Sequence, residues 1–418
     1  MRYVGTRCAV ISAVLSFVLD MTTFAGAEPP GEGEPTFTKE VAPILFEHCV
    51  ACHRPSQIAP MSLLSYDETR PWARAIKIKV EAREMPPWNA EPGIQEYAND
   101  PSLSQDEIDT ISAWVDGGAP QGNHADLPTA PTFAEGWAIG EPDYIFTMVE
   151  PFEVPADGTV PYLYFTIPTH LTKDIWISAS EVRPGDTRVV HHVTTAVVPG
   201  DGTPVDPSPK LARTRRPVPG ARLSQYVPNN RRWGFGEGTV ARIPAGALIE
   251  AEIHYTTVGT RVTDQSSWGV VLAEEQPSEL RLSNGGIVSA GERFVIPPHD
   301  PNFELVGRRV FQTDVYLLDM APHMHARGKD MTYTVVRPGG ERVVALSVPR
   351  YDFNWQLIYE LAEPIFMPKG SVLEVVMHFD NSANNRSNPD PSAEVRFGDQ
   401  TWQEMAFGFY SWSERTTP

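Results

Sequence analysis

Two short histidine motifs could bind a metal. In "LLDMAPHMHARGKD" (317–330), His323 and His325 stand two residues apart. Successive side chains on a β-strand point to opposite faces, so residues i and i+2 share a face and could grip one ion. In "RVVHHVTTAVV", His191 and His192 are adjacent and would point apart on a regular strand. A local twist, or coordination through Nδ1 of one ring and Nε2 of the other, could bring both to one ion.

A third motif, "EHCVACHRP", has the pattern Cys49-x-x-Cys52-His53. Two thiols at this spacing form thioethers with haem vinyl groups, and the histidine that follows is placed to bind the iron. A redox dithiol, a disulfide and half of a zinc site are the alternatives. We expect Met85 in "REMPPW" to be the sixth ligand, with Met61 as its competitor.

The residues around this motif predict short helices. "TKEVAPILFEHC" has apolar residues at helical spacing, and "LSQDEIDTISAWVDGG" (103–118) has a capping box of Ser104 and Glu107 before a Gly117-Gly118 end. We therefore predict a small all-α cytochrome c domain over 36–120, followed by a Pro- and Gly-containing linker over 121–140.

The rest of the chain predicts β-structure. Short alternating apolar runs such as "YLYFTIP" and "VLEVVMHFDNS" recur between turn residues, and the chain has 40 Pro and 31 Gly. Some 280 residues of this pattern is too much for one small sandwich. We expect a multidomain protein, with all-β antiparallel sandwich (jelly-roll-like) domains over 141–278 and 279–415.

The N-terminus predicts export. A short positive start, an apolar run too short to span a bilayer and the "AGA" at 25–27 indicate a signal peptide over 1–27. An uncleaved anchor is the alternative. Beyond this segment no apolar run predicts a membrane span, and the expected location is the periplasm or the extracellular space. The net charge of −19 argues against nucleic acid as a partner.

The order of these motifs resembles the copper type II, ascorbate-dependent monooxygenases, the family of the peptidylglycine α-hydroxylating and dopamine β-monooxygenases. His-His is followed by "IHYTTV", by His-x-His with "HARGKDMTYTVV", and by "WQEMAFGFYSW", over roughly 140–415. The resemblance implies one copper held by His191, His192 and His254. It implies a second, catalytic copper held by His323, His325 and Met405.

The chain also departs from this family. Where the peptide-hydroxylating enzyme grips its substrate's carboxylate, this chain has Ala321, Phe407 and Phe409. A carboxylate would find no partner there, so we expect a small apolar or aromatic substrate. No cysteine follows the haem motif, so the disulfides of the animal enzymes are absent.

The resemblance together with the haem motif predicts an exported copper monooxygenase that hydroxylates a C–H bond with dioxygen. Its cofactors would be two copper ions and one covalent haem c. Electrons would come from an external donor through the haem, or from an ascorbate-like reductant. One alternative is a non-catalytic haem and copper protein for electron transfer or copper binding. Another is a module for carbohydrate or partner binding with purely structural histidines.

Overall fold

The computed structural model describes residues 33–55, 57, 59–133, 136–218, 221–227, 234–235, 238–274 and 281–415. The structure is mostly β, with 35% strand against 12% helix, and its helices are short. The predicted signal peptide lies outside the described residues. Among the helices that the structure describes, none is both long and apolar enough to cross a bilayer.

The helices gather in the N-terminal part. They are α1 (Ala42–His48), α2 (Tyr66–Thr69), α3 (Ala73–Glu81) and α4 (Gln105–Asp116), with a π-turn at Phe37–Val41 and 3-10 turns at Arg70–Trp72 and His124–Asp126. The predicted capping box is confirmed, because the Ser104 side chain accepts the Glu107 N–H and the Glu107 carboxylate accepts the Ser104 N–H. Helix α4 buries Ile108, Ile111 and Trp114 in a small hydrophobic core that the helices of the N-terminal part share.

The strands occupy most of the chain after residue 140. They are β1 (Tyr144–Thr147), β2 (Phe152–Val154), β3 (Leu163–Pro168), β4 (Ile175–Arg183), β5 (Val190–Val198), β6 (Thr239–Ile243), β7 (Leu248–Tyr255), β8 (Val262–Asp264), β9 (Ser267–Leu272), β10 (Arg281–Ser289), β11 (Val295–Ile296), β12 (Phe303–Val310), β13 (Val315–His323), β14 (Gly328–Val336), β15 (Arg342–Val348), β16 (Tyr359–Met367), β17 (Val372–Phe379), β18 (Val395–Arg396) and β19 (Phe407–Arg415).

These strands form three main sheets and two small ones. The largest has eight strands in the order β1-β9-β4-β6-β10-β19-β13-β16. A three-stranded sheet (β3-β7-β5) and a four-stranded sheet (β12-β17-β14-β15) accompany it, with two strand pairs, β2-β8 and β11-β18. One hydrophobic core lies within residues 146–270, and a second lies mainly within residues 288–410.

The predicted fold class is wrong in two respects. The two β regions are not separate sandwiches, because a parallel pair between β6 and β10 joins their strands into the eight-stranded sheet. No all-α domain is evident in the described residues either, because residues 86–101, here called the strap, contain no helix. Ala90 of the strap is part of the second β core, and Tyr97 forms a β-bridge with Leu361. The spacing of apolar residues is a local signal. It could not reveal the pairing of β6 with β10 or that of the strap with Leu361.

The strap is bound tightly to the edge of β16. The Ala98 N–H donates to the Glu360 carbonyl at 2.8 Å, and the Ala362 N–H donates to the Glu96 carbonyl at 2.9 Å. The Asn99 side chain donates to the Ile358 carbonyl at 2.8 Å and accepts the Glu360 N–H at 3.1 Å. The helical part and the β part are therefore docked through specific backbone hydrogen bonds.

Replacing Asn99 by Ala removes both side-chain bonds to β16. We expect the free energy of unfolding to fall by about 1–3 kcal/mol, since each bond contributes roughly 0.5–1.5 kcal/mol. Urea unfolding measures the loss, and limited proteolysis should cut the strap faster in Asn99→Ala. Asn384→Ala, at an exposed side chain, is the matched control. Equal stability of Asn99→Ala and the control would contradict this role of the strap.

Candidate functional site

Three histidines from neighbouring strands lie together. The pairing of β5 with β7 shifts register between Val190 and His192, so that His191 is an extra, bulged residue. The bulge turns both adjacent rings to one side, with Nδ1 of His191 3.2 Å from Nδ1 of His192. His254 stands opposite His192 on β7. One ligand nitrogen from each ring lies within 4.8 Å of the other two.

The ring nitrogens have the arrangement of a metal site. Nε2 of His191 lies 3.1 Å from the Asn354 carbonyl oxygen. A carbonyl only accepts, so this nitrogen carries the proton and Nδ1 keeps its lone pair. Nε2 of His192, Nδ1 of His254 and Nε2 of His325 are buried without a hydrogen-bond partner among the described residues. Unpaired buried nitrogens are costly, and a bound cation would satisfy lone pairs of this kind.

Burial keeps these imidazoles neutral. Together with the neighbouring His191 and His323, it lowers the pKa of His254 to about 3. Burial likewise lowers the pKa of His325 to about 3 and that of His323 to about 4. The neutral ring is the form that binds transition metals, so near pH 7 these histidines are ready to act as ligands.

The second histidine pair, His323 and His325, lies at the end of β13. Nδ1 of His323 lies 2.6 Å from Oε1 of Gln356, which fixes the tautomer and leaves Nε2 as the atom that could bind a metal. The prediction that both histidines lie on one strand is wrong, because β13 ends at His323 and His325 belongs to the turn before β14. The rings nevertheless lie 5.3 Å apart, centroid to centroid.

A buried carboxylate holds this turn in place. One oxygen of Glu404 accepts the His325 N–H at 2.8 Å, and the other accepts the Arg327 N–H at 2.7 Å. The Arg327 guanidinium is buried and donates to the Asn381 side chain at 2.8 Å. Burial raises the pKa of Glu404 to about 8, although these N–H groups partly oppose the rise. Since Met405 follows Glu404 directly, one network orients His325 and the segment with Met405.

The two histidine sets form one cluster. The rings of His192 and His323 lie 6.3 Å apart. Tyr162 lies between the sets, with its ring 4.6 Å from His254 and stacked on His325 at 5.8 Å. Phe353 covers the same rings, at 6.0 Å from His254 and 6.1 Å from His325. All five predicted histidine ligands therefore lie in one cluster, here called the histidine cluster, in which His191 is half-buried and the other four are buried.

A cavity of about 540 Å³ borders the histidine cluster, and both His323 and Met405 line it. Next to His323 its wall is aromatic, because the rings of Phe407 and Phe409 lie 6.3 Å and 5.8 Å from the histidine ring. Ala321, Phe397 and Ile358 extend this apolar wall. The cavity is large enough for a drug-sized molecule, and His323 is the member of the second histidine pair that faces it.

Charged groups also line the cavity. Glu252 accepts a hydrogen bond from the Tyr164 hydroxyl, and the Arg213 guanidinium lies 5.6 Å from the centre of the Tyr164 ring. Arg222 pairs with Asp319 at 2.9 Å. The lining is therefore mixed: Asp319 and Ala321 lie on the same strand as His323, and the aromatic rings lie next to His323.

The haem-type motif follows α1. The N–H groups of Cys52 and His53 both donate to the Cys49 carbonyl, at 3.1 and 2.9 Å, so the motif forms a tight turn with no disulfide. Burial lowers the pKa of His53, and the Met61 backbone opposes this with a hydrogen bond. Met61 and Cys49 both pack against the helical core, whereas the half-buried Met85 directly precedes the strap.

Three residues of the site were not among the sequence-predicted ligands, namely Tyr162, Gln356 and Glu404. Tyr162 lies in an apolar run that predicts only a strand. Gln356 and Glu404 had a usable signal, because each is a polar residue inside an aromatic motif, "FNWQLIYE" and "WQEMAF". Their buried position beside predicted ligands is typical of residues that orient metal-binding side chains.

Comparisons with known proteins do not identify a family. No protein-family model matches the chain, and no curated protein matches it. Matches among solved structures include the VP2 subviral particle of infectious bursal disease virus, with 8% identity, 66% of this chain and 73% of that chain covered, and a TM-score of 0.20. Another is allantoicase from Saccharomyces cerevisiae, with 8% identity, 63% and 81% coverage and a TM-score of 0.16.

Glu404 provides a test of the site's construction. In Glu404→Ala, the N–H groups of His325 and Arg327 lose their acceptor, and each unpaired buried N–H costs about 1–3 kcal/mol. We expect a lower free energy of unfolding in urea and a smaller loss in Glu404→Gln, which keeps one acceptor oxygen. The exposed Glu363→Ala is the control. If both Glu404 variants matched that control, the carboxylate would not hold the turn.

Proposed function

We propose that this protein is an exported copper-dependent monooxygenase with a covalent haem c as its electron entry. The observation that carries the proposal is a buried, neutral histidine cluster that borders a large cavity. Resemblance of the motif order to the copper type II, ascorbate-dependent monooxygenases supports the assignment of the metal. The residues fit copper chemically, since imidazole suits both oxidation states of copper and thioether favours Cu(I).

Two sets of residues would hold the copper ions. His191, His192 and His254 offer an all-imidazole set, and His323, His325 and Met405 offer two imidazoles and a thioether. When bound, the thioether-ligated copper would supply the reduction of dioxygen, and the all-histidine copper would store one electron. In the overall reaction, R–H, O₂, two electrons and two protons give R–OH and water.

The protein's own residues would position the substrate. Phe407 and Phe409 flank His323, so an apolar group on this wall would lie beside the second ligand set while the rings exclude water. Gln356 holds His323 through Nδ1, the ring nitrogen that would not bind the metal, and Glu404 holds the turn with His325. We therefore propose a small apolar or aromatic substrate whose reacting C–H bond faces His323 and Met405.

Cys49 and Cys52 would attach the haem, and His53 and Met85 would bind its iron. The Met61 backbone is hydrogen-bonded to His53, so Met61 lies beside that histidine, and Met85 stays the proposed sixth ligand with Met61 as its competitor. Methionine ligation raises the haem potential and suits electron transfer. The haem would accept electrons from an external donor, with ascorbate as an alternative reductant. The periplasm or the extracellular space, where copper and haem c can be assembled, is the proposed location.

The main alternative is a non-catalytic haem and copper protein for electron transfer. An electron-transfer centre has no need of a cavity at its metal ligands. Here about 540 Å³ of space touches both His323 and Met405. This favours catalysis over electron transfer alone.

Turnover of a substrate tests the proposal. We would incubate the copper-loaded holoprotein with ascorbate, labelled dioxygen and a panel of small neutral aromatic compounds, and detect labelled alcohols by mass spectrometry. We expect hydroxylation by the wild type and its loss in Met405→Ala. Ala321→Leu should reduce the cavity and turnover without lowering copper content. The exposed Ala362→Leu should leave both unchanged.

Two outcomes would count against catalysis. If copper and haem bind but no compound raises oxygen consumption, the non-catalytic alternative is favoured. If Met405→Ala hydroxylates at the wild-type rate, the second ligand set is not the reaction site.

A further inference from the structure

One loop contacts both histidine sets. Residues 349–358, here called the β15–β16 loop, connect β15 to β16 without helix or strand of their own. The Asn354 carbonyl of this loop accepts a hydrogen bond from Nε2 of His191 at 3.1 Å. Oε1 of Gln356 lies 2.6 Å from Nδ1 of His323. The loop therefore binds one histidine of each set, although the two histidines belong to different sheets.

Two aromatic residues of the loop add contacts to the same sets. The Tyr351 hydroxyl accepts the Met324 N–H at 3.1 Å and donates to the Met324 carbonyl at 2.6 Å. Since Met324 separates the two histidines of the second pair, this hydroxyl holds the backbone of that pair. The Phe353 ring lies 6.0 Å from the ring of His254 and 6.1 Å from the ring of His325. Phe353 thus contacts one ring from each set.

A turn within the loop directs the Asn354 carbonyl. One carboxylate oxygen of Asp352 accepts the backbone N–H and the side-chain N–H of Asn354, both at 2.9 Å. The Asp352 carbonyl accepts the Trp355 N–H at 2.9 Å. This is an Asx turn, in which an Asp or Asn side chain fixes the backbone two residues further on. Asp352 is therefore placed to set the direction of the carbonyl that His191 uses.

Both ends of the loop are held by the strap. The Glu91 N–H donates to the Ser347 carbonyl of β15 at 2.8 Å, and the Ala98 N–H donates to the Glu360 carbonyl of β16 at 2.8 Å. The loop is thus a short segment with fixed ends and hydrogen bonds of its own. Only one residue separates its contact with His191 from its contact with His323, so a displacement at one contact moves the other.

We propose that the β15–β16 loop is a shared positioning element, through which each ligand set depends on the loop's contact with the other set. This inference rests on the proposed function, since it concerns the binding of copper by both sets. Asp352 and Gln356 are positioning residues, because each would act on a ligand and not on the metal. Partners of this kind orient the ligands, and their loss weakens metal binding. If the sets were independent, each residue would affect only the set it adjoins.

Two crossed variants test the inference, each measured at the set that it does not contact. Met405→Ala leaves the all-histidine set to bind copper, and Gln356→Leu is added to this parent. His254→Ala leaves the second set, and Asp352→Ala is added to that parent. The Kd for copper(I) of the full-length, haem-containing protein is measured by equilibrium dialysis against a copper(I) chelator. We expect the Kd to rise by about fivefold or more over the parent in both arms.

Conservative and matched variants separate position from charge and from folding. Asp352→Asn keeps an acceptor for the turn and should retain the affinity of its parent. Asp206→Ala removes the same kind of turn, an acceptor 3.0 Å from the Ser208 N–H in an exposed loop, and should leave both affinities unchanged. The urea midpoint shows whether each variant is folded. The two arms are independent, so if one variant fails to fold, the other still decides.

An unchanged affinity of the far set in a folded variant of either arm would overturn the shared role. The proposed function would stand in that case, because the parent still binds copper at its remaining set. If the wild type binds no copper, the proposed function fails, and the shared role of the loop fails with it.

Discussion

Five imidazoles gathered in one place, four of them buried, are the constraint on which the site depends. Burial favours their neutral form, and three of their nitrogens have no hydrogen-bond partner among the described residues. A fold retains such a costly arrangement when something else satisfies the lone pairs. Several local features serve this cluster: the bulge at His191, the Gln356 bond to His323, and the Glu404 carboxylate that gathers the turn after β13.

The same cluster explains why the two β regions are joined. His191, His192 and His254 come from the three-stranded sheet, while His323 ends a strand of the eight-stranded sheet. The ligand sets can meet only if these sheets are held in a defined relation. The parallel pair between β6 and β10 joins the two β regions, and the strap joins the helical part to β16.

Features that depend on residues near in sequence could be predicted, whereas features that depend on pairing between distant segments could not. The spacing of Cys49, Cys52 and His53 and the cap of α4 depend on neighbours within a few residues, so the sequence alone reveals them. The directions in which the rings of His191 and His325 point do not depend on near neighbours alone. A bulge against β7 decides the direction of His191, and hydrogen bonds to Glu404 decide that of His325. The strap pairs with a strand more than 250 residues further along the chain, and the continuous sheet depends on a pair whose residues are 42 positions apart (281 − 239). Local periodicity encodes neither pairing.

The copper-to-haem ratio tests the central claim most directly. The full chain would be exported in a host that attaches haem c, loaded with copper, freed of loose metal and assayed for copper and iron together. We expect a ratio near two, which falls to near one when Met405 or the His323 and His325 pair is replaced by alanine. A ratio near zero in a folded protein with intact haem would contradict it and make the histidine cluster a structural feature.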